Sequence, residues 1–170
     1  MPSWLHLLSG IGIYTYYTLD NLDGKQARRT GASSPLGELF DHGVDALQTT
    51  IIFISFQAAL HSATSPVFFL AITMVYAAFF FATWEEYWFG GLFLGLINGA
   101  QEGLMLIIGV QFVSFYKGNE IWAAPLSESV GLSGYVGTLP TNTIMVAILV
   151  VSLTISIAQN IYTVIVTTRS

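Results

Sequence analysis

Residues 46–84 and 129–168 contain no Asp, Glu, Lys or Arg, and a chain of 170 residues has no soluble shell in which to bury such runs. A helix crossing a bilayer needs about 20 predominantly apolar residues. The second run therefore holds one crossing, and the first holds two if the chain turns near residues 61–66. With 54% hydrophobic and 9% charged residues, the composition also favours a membrane protein. The apolar runs are continuous and do not alternate over about ten residues, which selects membrane helices over a membrane β-barrel. A buried helix of a large soluble protein is the competing reading, and the shortness of the chain argues against it.

The opening stretch, residues 3–20, reads as a first membrane helix with small residues at Gly10 and Gly12. It lacks the basic start and small-residue cleavage site of a signal peptide. Beyond Asp20, glycines and polar residues indicate a bend or loop as far as Ser34-Pro35. There Ser caps, and Pro occupies the first turn of, a helix expected over 36–60. Ser65-Pro66 repeats that start signal, giving a third helix over 66–84. Trp84, Glu85, Glu86, Tyr87 and Trp88 fit a membrane interface, where aromatic rings are favoured, and the two acids read as ordinary interfacial charges. A fourth helix is expected over 92–115, then a Gly/Ser/Pro-rich loop, then a fifth helix over 142–168.

The expectation is an all-α polytopic membrane protein of about five spans, a single membrane domain over residues 1–170 without internal repeats. The chain begins inside one hydrophobic segment and stops just beyond another, as a partial chain would. Lys25, Arg28 and Arg29 face the cytoplasm under the positive-inside bias; five spans return Arg169 to that side and leave Lys117 on the other. The absence of cysteine excludes disulfides and thiolate metal sites. No basic stripe suggests nucleic-acid binding.

Against this apolar background, five of the ten acidic residues and three of the five basic ones fall within residues 20–45. Asp20 and Asp23 are three apart, Asp41 and Asp45 four apart, so on helices each pair shares a face. If the connection turns the chain back, the pairs converge. Four carboxylates at close range repel one another and lose hydration, and divalent cations supply the compensation. An oxygen-only ligand set points to Mg²⁺ or Mn²⁺. Two such ions would bridge a diphosphate and stabilise a phosphate leaving group. Gly24 allows close backbone approach, and Lys25, Arg28 and Arg29 suit phosphate or anionic headgroups. The plainer alternative is that Asp20 and Asp23 cap a helix end while the others form intramembrane salt bridges. Intramembrane acids equally suit ion conduction or proton transfer.

The segment resembles the CDP-alcohol phosphatidyltransferase family, matching its signature at Asp20, Asp23, Gly24, Ala27, Arg28, Gly37, Asp41 and Asp45, all at the family's intervals. The wording LDGKQARRT and SSPLGELFDHG is similar to the eukaryotic choline/ethanolamine phosphotransferase branch. The resemblance implies a CDP-alcohol phosphotransferase-like helical bundle in a membrane of the endoplasmic reticulum or Golgi, with its active site facing the cytoplasm. It implies transfer of phosphocholine or phosphoethanolamine from CDP-choline or CDP-ethanolamine to diacylglycerol, with release of CMP. It assigns metal binding to Asp20, Asp23, Asp41 and Asp45. Donor contacts fall to Asp23, Gly24, Ala27, Arg28 and Gly37. Asp45 is its candidate base, and His42 the rival, since imidazole titrates near neutral pH; a lone membrane histidine could equally satisfy a neighbouring helix. Asn98 and Glu102, four apart in NGAQEG, suit orientation of His42, of a water or of the alcohol headgroup, or a hydrogen bond that merely joins helices. Members usually have more membrane structure on both sides of this region, where parts of the lipid path, the donor pocket or a homodimer contact would lie. Two other readings stay open: a cation-transporting protein, and a structural or regulatory fragment that retains binding residues without turnover.

Overall fold

The computed structural model describes residues 2–62, 66–89, 99–127 and 138–167. Among them lie five long helices, α1 (Ser3–Thr30), α2 (Pro35–Ala59), α3 (Pro66–Phe89), α4 (Gly99–Lys117) and α5 (Thr141–Thr167), with a short 3₁₀ turn at Asn119–Trp122. Segments Phe68–Phe89 and Thr141–Thr167 are long and apolar enough to cross a membrane, with mean hydropathy 1.6 and 2.2. Helices α1 and α2 have the length, but their ends carry the aspartates and basic residues, which lowers their hydropathy. The all-α membrane architecture expected from the apolar runs is what the chain adopts.

One expectation needs correction. The polar stretch after Asp20 is not a bend or loop, because α1 continues through it to Thr30. Asp, Lys, Gln, Ala and Arg are compatible with helix, and a single Gly24 costs only about 1 kcal/mol relative to Ala. What ends the helix is Gly31, in the left-handed region at φ 67°. The Ala32 N–H bonds to the Ala27 carbonyl at 3.0 Å and the Gly31 N–H to that of Arg28 at 3.4 Å, which is the Schellman pattern. Arg28 and Arg29 in the last turn complement the helix dipole. Four residues later, Ser34 Oγ accepts from the Gly37 N–H at 3.1 Å and Pro35 begins α2, as the sequence indicates. Helix α3 likewise runs past Trp84 to Phe89, so the acidic pair lies inside a helix.

Helix α1 packs mainly on α4, and α3 mainly on α5, while α2 touches its neighbours more lightly. The core is built around Phe56 of α2 and Leu60 just beyond its end, both fully buried, with Ile52, Phe53, Ile107, Ile108 and Val110 around them. At Gly10 α1 passes α4 closely enough that an added Cβ would meet Gln111 Cβ at 3.4 Å, an ordinary contact distance. Beside it is a buried polar chain: His6 Nδ1 lies 2.9 Å from Gln111 Oε1, and Gln111 Nε2 donates to Ser55 Oγ at 2.7 Å. These bonds join α1, α4 and α2 by groups that would otherwise be costly to remove from water.

Candidate active site

The turn at residues 31–34 folds α2 back along α1. Asp20 lies ten residues before the end of α1 and Asp45 ten residues after the start of α2. At 1.5 Å per residue both stand about 15 Å from the turn, so they meet. Because α1 stays helical, Asp20, Asp23, Gly24, Ala27 and Arg28 occupy one side of it, and Gly37, Asp41 and Asp45 recur every four residues along α2.

One carboxylate oxygen from each of Asp20, Asp41 and Asp45 falls within 4.8 Å of the other two. Asp23 is not in that trio; its Oδ1 accepts from the Gly24 N–H, and it stays within electrostatic range of Asp20 and Asp41. Among the described residues no Lys or Arg forms an ion pair with any of these aspartates, which weighs against the salt-bridge alternative. Asp20 and Asp41 stand outside the uncharged stretches 4–19 and 46–59 of their helices. There burial first, and the Asp45 carboxylate second, push Asp20 up to about 6 and hold Asp41 above the usual carboxylate range. Three convergent oxygens without a neutralising base fit a hard divalent cation such as Mg²⁺ or Mn²⁺.

Tyr16, which the sequence reading passed over, donates its phenolic hydroxyl to Asp45 Oδ1. It stands four residues before Asp20 on the same helical face, a spacing that could have flagged it. Tyr16 also lines a cavity of about 210 Å³, together with Ser9, Gly12 and Ile13 of α1 and Gln48, Ile51, Ile52 and Ser55 of α2.

Of the expected donor-contacting residues, Gly24 and Ala27 are half-buried and Arg28 is exposed. Gly37 has a local reason for being glycine: a Cβ would sit 3.2 Å from Ser34 Oγ and crowd the cap. His42, beside Asp41, reaches α3, where its Nε2 is 3.3 Å from Glu86 Oε2. Glu85, on the next helical position, is only 5% exposed; with the Asn160 amide turned to satisfy both its atoms, Asn160 of α5 donates to Glu85 Oε2 at 3.0 Å. Glu85 is thus a buried group with a partner on α5, while Glu86, 19% exposed, meets His42 of α2. Glu102 lies in α4, but its side chain, like Asn98 as a whole, is outside the described residues.

A sequence profile described as CDP-alcohol phosphatidyltransferase matches residues 3–169. Curated relatives include "Choline/ethanolaminephosphotransferase 1" of Arabidopsis thaliana, 42% identical over 135 residues, covering 79% of this chain and 34% of that protein. "Cholinephosphotransferase 1" of Mus musculus is 39% identical over 123 residues, 71% of this chain and 30% of that protein. "CDP-diacylglycerol--serine O-phosphatidyltransferase" of Encephalitozoon cuniculi is 37% identical over 128 residues, 75% of this chain and 33% of that protein. The chain therefore spans about a third of the length of these relatives. With a profile match that begins in the first turn of α1 and ends beyond α5, the chain belongs to the CDP-alcohol phosphatidyltransferase family.

Proposed function

We propose that this chain forms the catalytic region of a membrane enzyme that transfers phosphocholine or phosphoethanolamine from a CDP-linked donor to diacylglycerol. The convergence of Asp20, Asp41 and Asp45 carries the reading. Two Mg²⁺ or Mn²⁺ ions, when bound, would polarise the diphosphate and neutralise charge on the departing phosphate. Asp20, Asp23, Asp41 and Asp45 would hold them, with Asp23 turning from its local bond to Gly24. Exposed Lys25, Arg28 and Arg29 attract the donor's phosphates, and Gly24, Ala27 and Gly37 leave room beside them.

The acceptor hydroxyl oxygen bonds to the donor's β-phosphorus as the bond from that phosphorus to the bridging oxygen breaks, and CMP leaves with that oxygen. The hydroxyl proton passes to His42 or Asp45. Asn98 and Glu102 are assigned to the acceptor side. Tyr16 fixes the Asp45 carboxylate. Tyr16→Phe removes one hydrogen bond to a charged group, and CMP release should fall about tenfold with little change in donor KM.

The similarity to choline/ethanolamine and choline phosphotransferases supports these substrates. Membranes of the endoplasmic reticulum or Golgi, with the basic end of α1 in the cytoplasm, are the proposed location. The test uses the full-length protein in diacylglycerol vesicles, with CDP-choline and CDP-ethanolamine offered separately. CMP and the matching phospholipid should form in equal amounts, and chelation of divalent metal should stop both. Donor-independent cation flux without CMP would instead support transport.

A further inference from the structure

The two stripes that line the cavity between α1 and α2 follow the same helical spacing, from Ser9 to Tyr16 on one helix and from Gln48 to Ser55 on the other. Each stripe starts and ends on a polar residue, with isoleucine between. The helices run antiparallel from the turn at residues 31–34, so Tyr16 and Gln48 stand at the end nearer the aspartates and Ser9 and Ser55 at the far end. Along α1 the lining extends over seven residues, or about 10 Å. At Gly12 an added Cβ would meet nothing within 4 Å. Gly12 and Ile51 are also exposed, so the cavity opens at the surface of the bundle, where a lipid enters it without crossing water.

The polar groups at its two ends are not equally occupied. Ser55 Oγ already accepts from Gln111 Nε2, and the Tyr16 hydroxyl is committed to Asp45. The half-buried Gln48 amide has no hydrogen-bond partner among the described residues. An amide left unpaired in an apolar cleft is costly, and a ligand with a carbonyl removes that cost. A larger cavity, of about 400 Å³, runs along α5 between Leu139 and Ile155, but none of its residues bonds to the aspartates.

We propose that the cleft between α1 and α2 seats the acceptor lipid. Gln48 donates an amide N–H to the carbonyl of the ester next to the reacting hydroxyl, and the first part of that acyl chain lies along Ile13, Ile51 and Ile52. The proposal rests on the phosphotransferase reading with a diacylglycerol acceptor. Gln48 is three residues beyond Asp45, about 4.5 Å further along α2 and on the same side of it. In diacylglycerol the carbon that bears the hydroxyl is bonded to a carbon that bears an ester. The hydroxyl can therefore face the aspartates while the neighbouring carbonyl meets Gln48. A plain hydrocarbon chain would leave the amide unpaired, so the cleft selects a lipid with an acyl ester.

The test reads CMP release from the full-length protein in vesicles of ether-linked phosphatidylcholine, where the acceptor is the only lipid with an ester. Dioleoylglycerol is compared with the dialkylglycerol of the same chain length, which has the hydroxyl but no carbonyl. The parent should show a KM about tenfold lower for the ester. Gln48→Leu should raise the KM for the ester about tenfold and leave those for the ether and for the CDP-linked donor within about twofold, which erases the preference. Gly12→Leu fills the cleft and should raise the KM for both acceptors about tenfold, again with little change for the donor. Equal losses on ester and ether in Gln48→Leu overturn the proposal, as does an unchanged acceptor KM in Gly12→Leu. If neither variant inserts, the parent decides alone: CMP formed equally well from ester and ether defeats the proposal and leaves the phosphotransferase reading standing. A parent protein that forms no CMP from either acceptor removes both.

Discussion

Asp41→Asn should cut CMP release by the full-length protein on the order of 1,000-fold, or about 4 kcal/mol of transition-state stabilisation, while the protein still inserts in the membrane. The substitution preserves shape and removes one of three carboxylate oxygens that lie within 4.8 Å of each other. Two effects oppose one another. Repulsion on Asp20 and Asp45 is relieved, which favours the folded bundle, while a metal ligand is lost, which disfavours the reaction. Fold and activity should therefore separate: resistance to unfolding by detergent unchanged or slightly raised, turnover nearly gone. Titrating divalent metal against CMP release checks the assignment, since the weakened site should need more metal for what turnover remains. Unchanged release at the parent's metal concentration would defeat the ligand role.

Phe56→Ala should destabilise the bundle by about 3–5 kcal/mol. Phe56 is fully buried within the core cluster, together with Leu60 and residues of α4 such as Ile107 and Val110. In a bilayer the penalty does not come from exposing apolar surface to water. It comes from the lost dispersion contacts and the void that remains between helices. Folded fraction against a rising mole fraction of denaturing detergent gives the measurement. A shift below about 1 kcal/mol would mean that lipid fills the space readily and that position 56 borders the bilayer.

The two predictions draw on features of unequal visibility in the sequence. The aspartates could be found without coordinates, because their spacings of three and four name a helical face and the Ser34-Pro35 start fixes where the second helix begins. The extent of α1 was misjudged at Asp20, since polar residues around one glycine resemble a loop until Gly31 is recognised as the real terminator. Periodicity describes one helix at a time and says nothing about which other helix its face will meet. Hence the approach of Glu86 to His42, the Glu85 contact with Asn160 and the chain from His6 through Gln111 to Ser55 were not legible. Each joins residues far apart in sequence, through side chains that look individually like isolated polar interruptions. Tyr16 is an intermediate case, since its helical face could be read but its bond across to Asp45 could not.

The principal pairings α1 with α4 and α3 with α5 have a temporal consequence. During synthesis each of these partners is separated by at least one intervening helix, so neither pair can close as its first member leaves the ribosome. His6 enters the membrane long before Gln111 exists to meet it. Until then, membrane insertion must either tolerate a polar group facing lipid or keep α1 beside the insertion machinery. The bundle is consequently assembled by delayed capture, and α1 and α2, adjacent in sequence, can bring their aspartates together before the partners of α1 and α3 have been made.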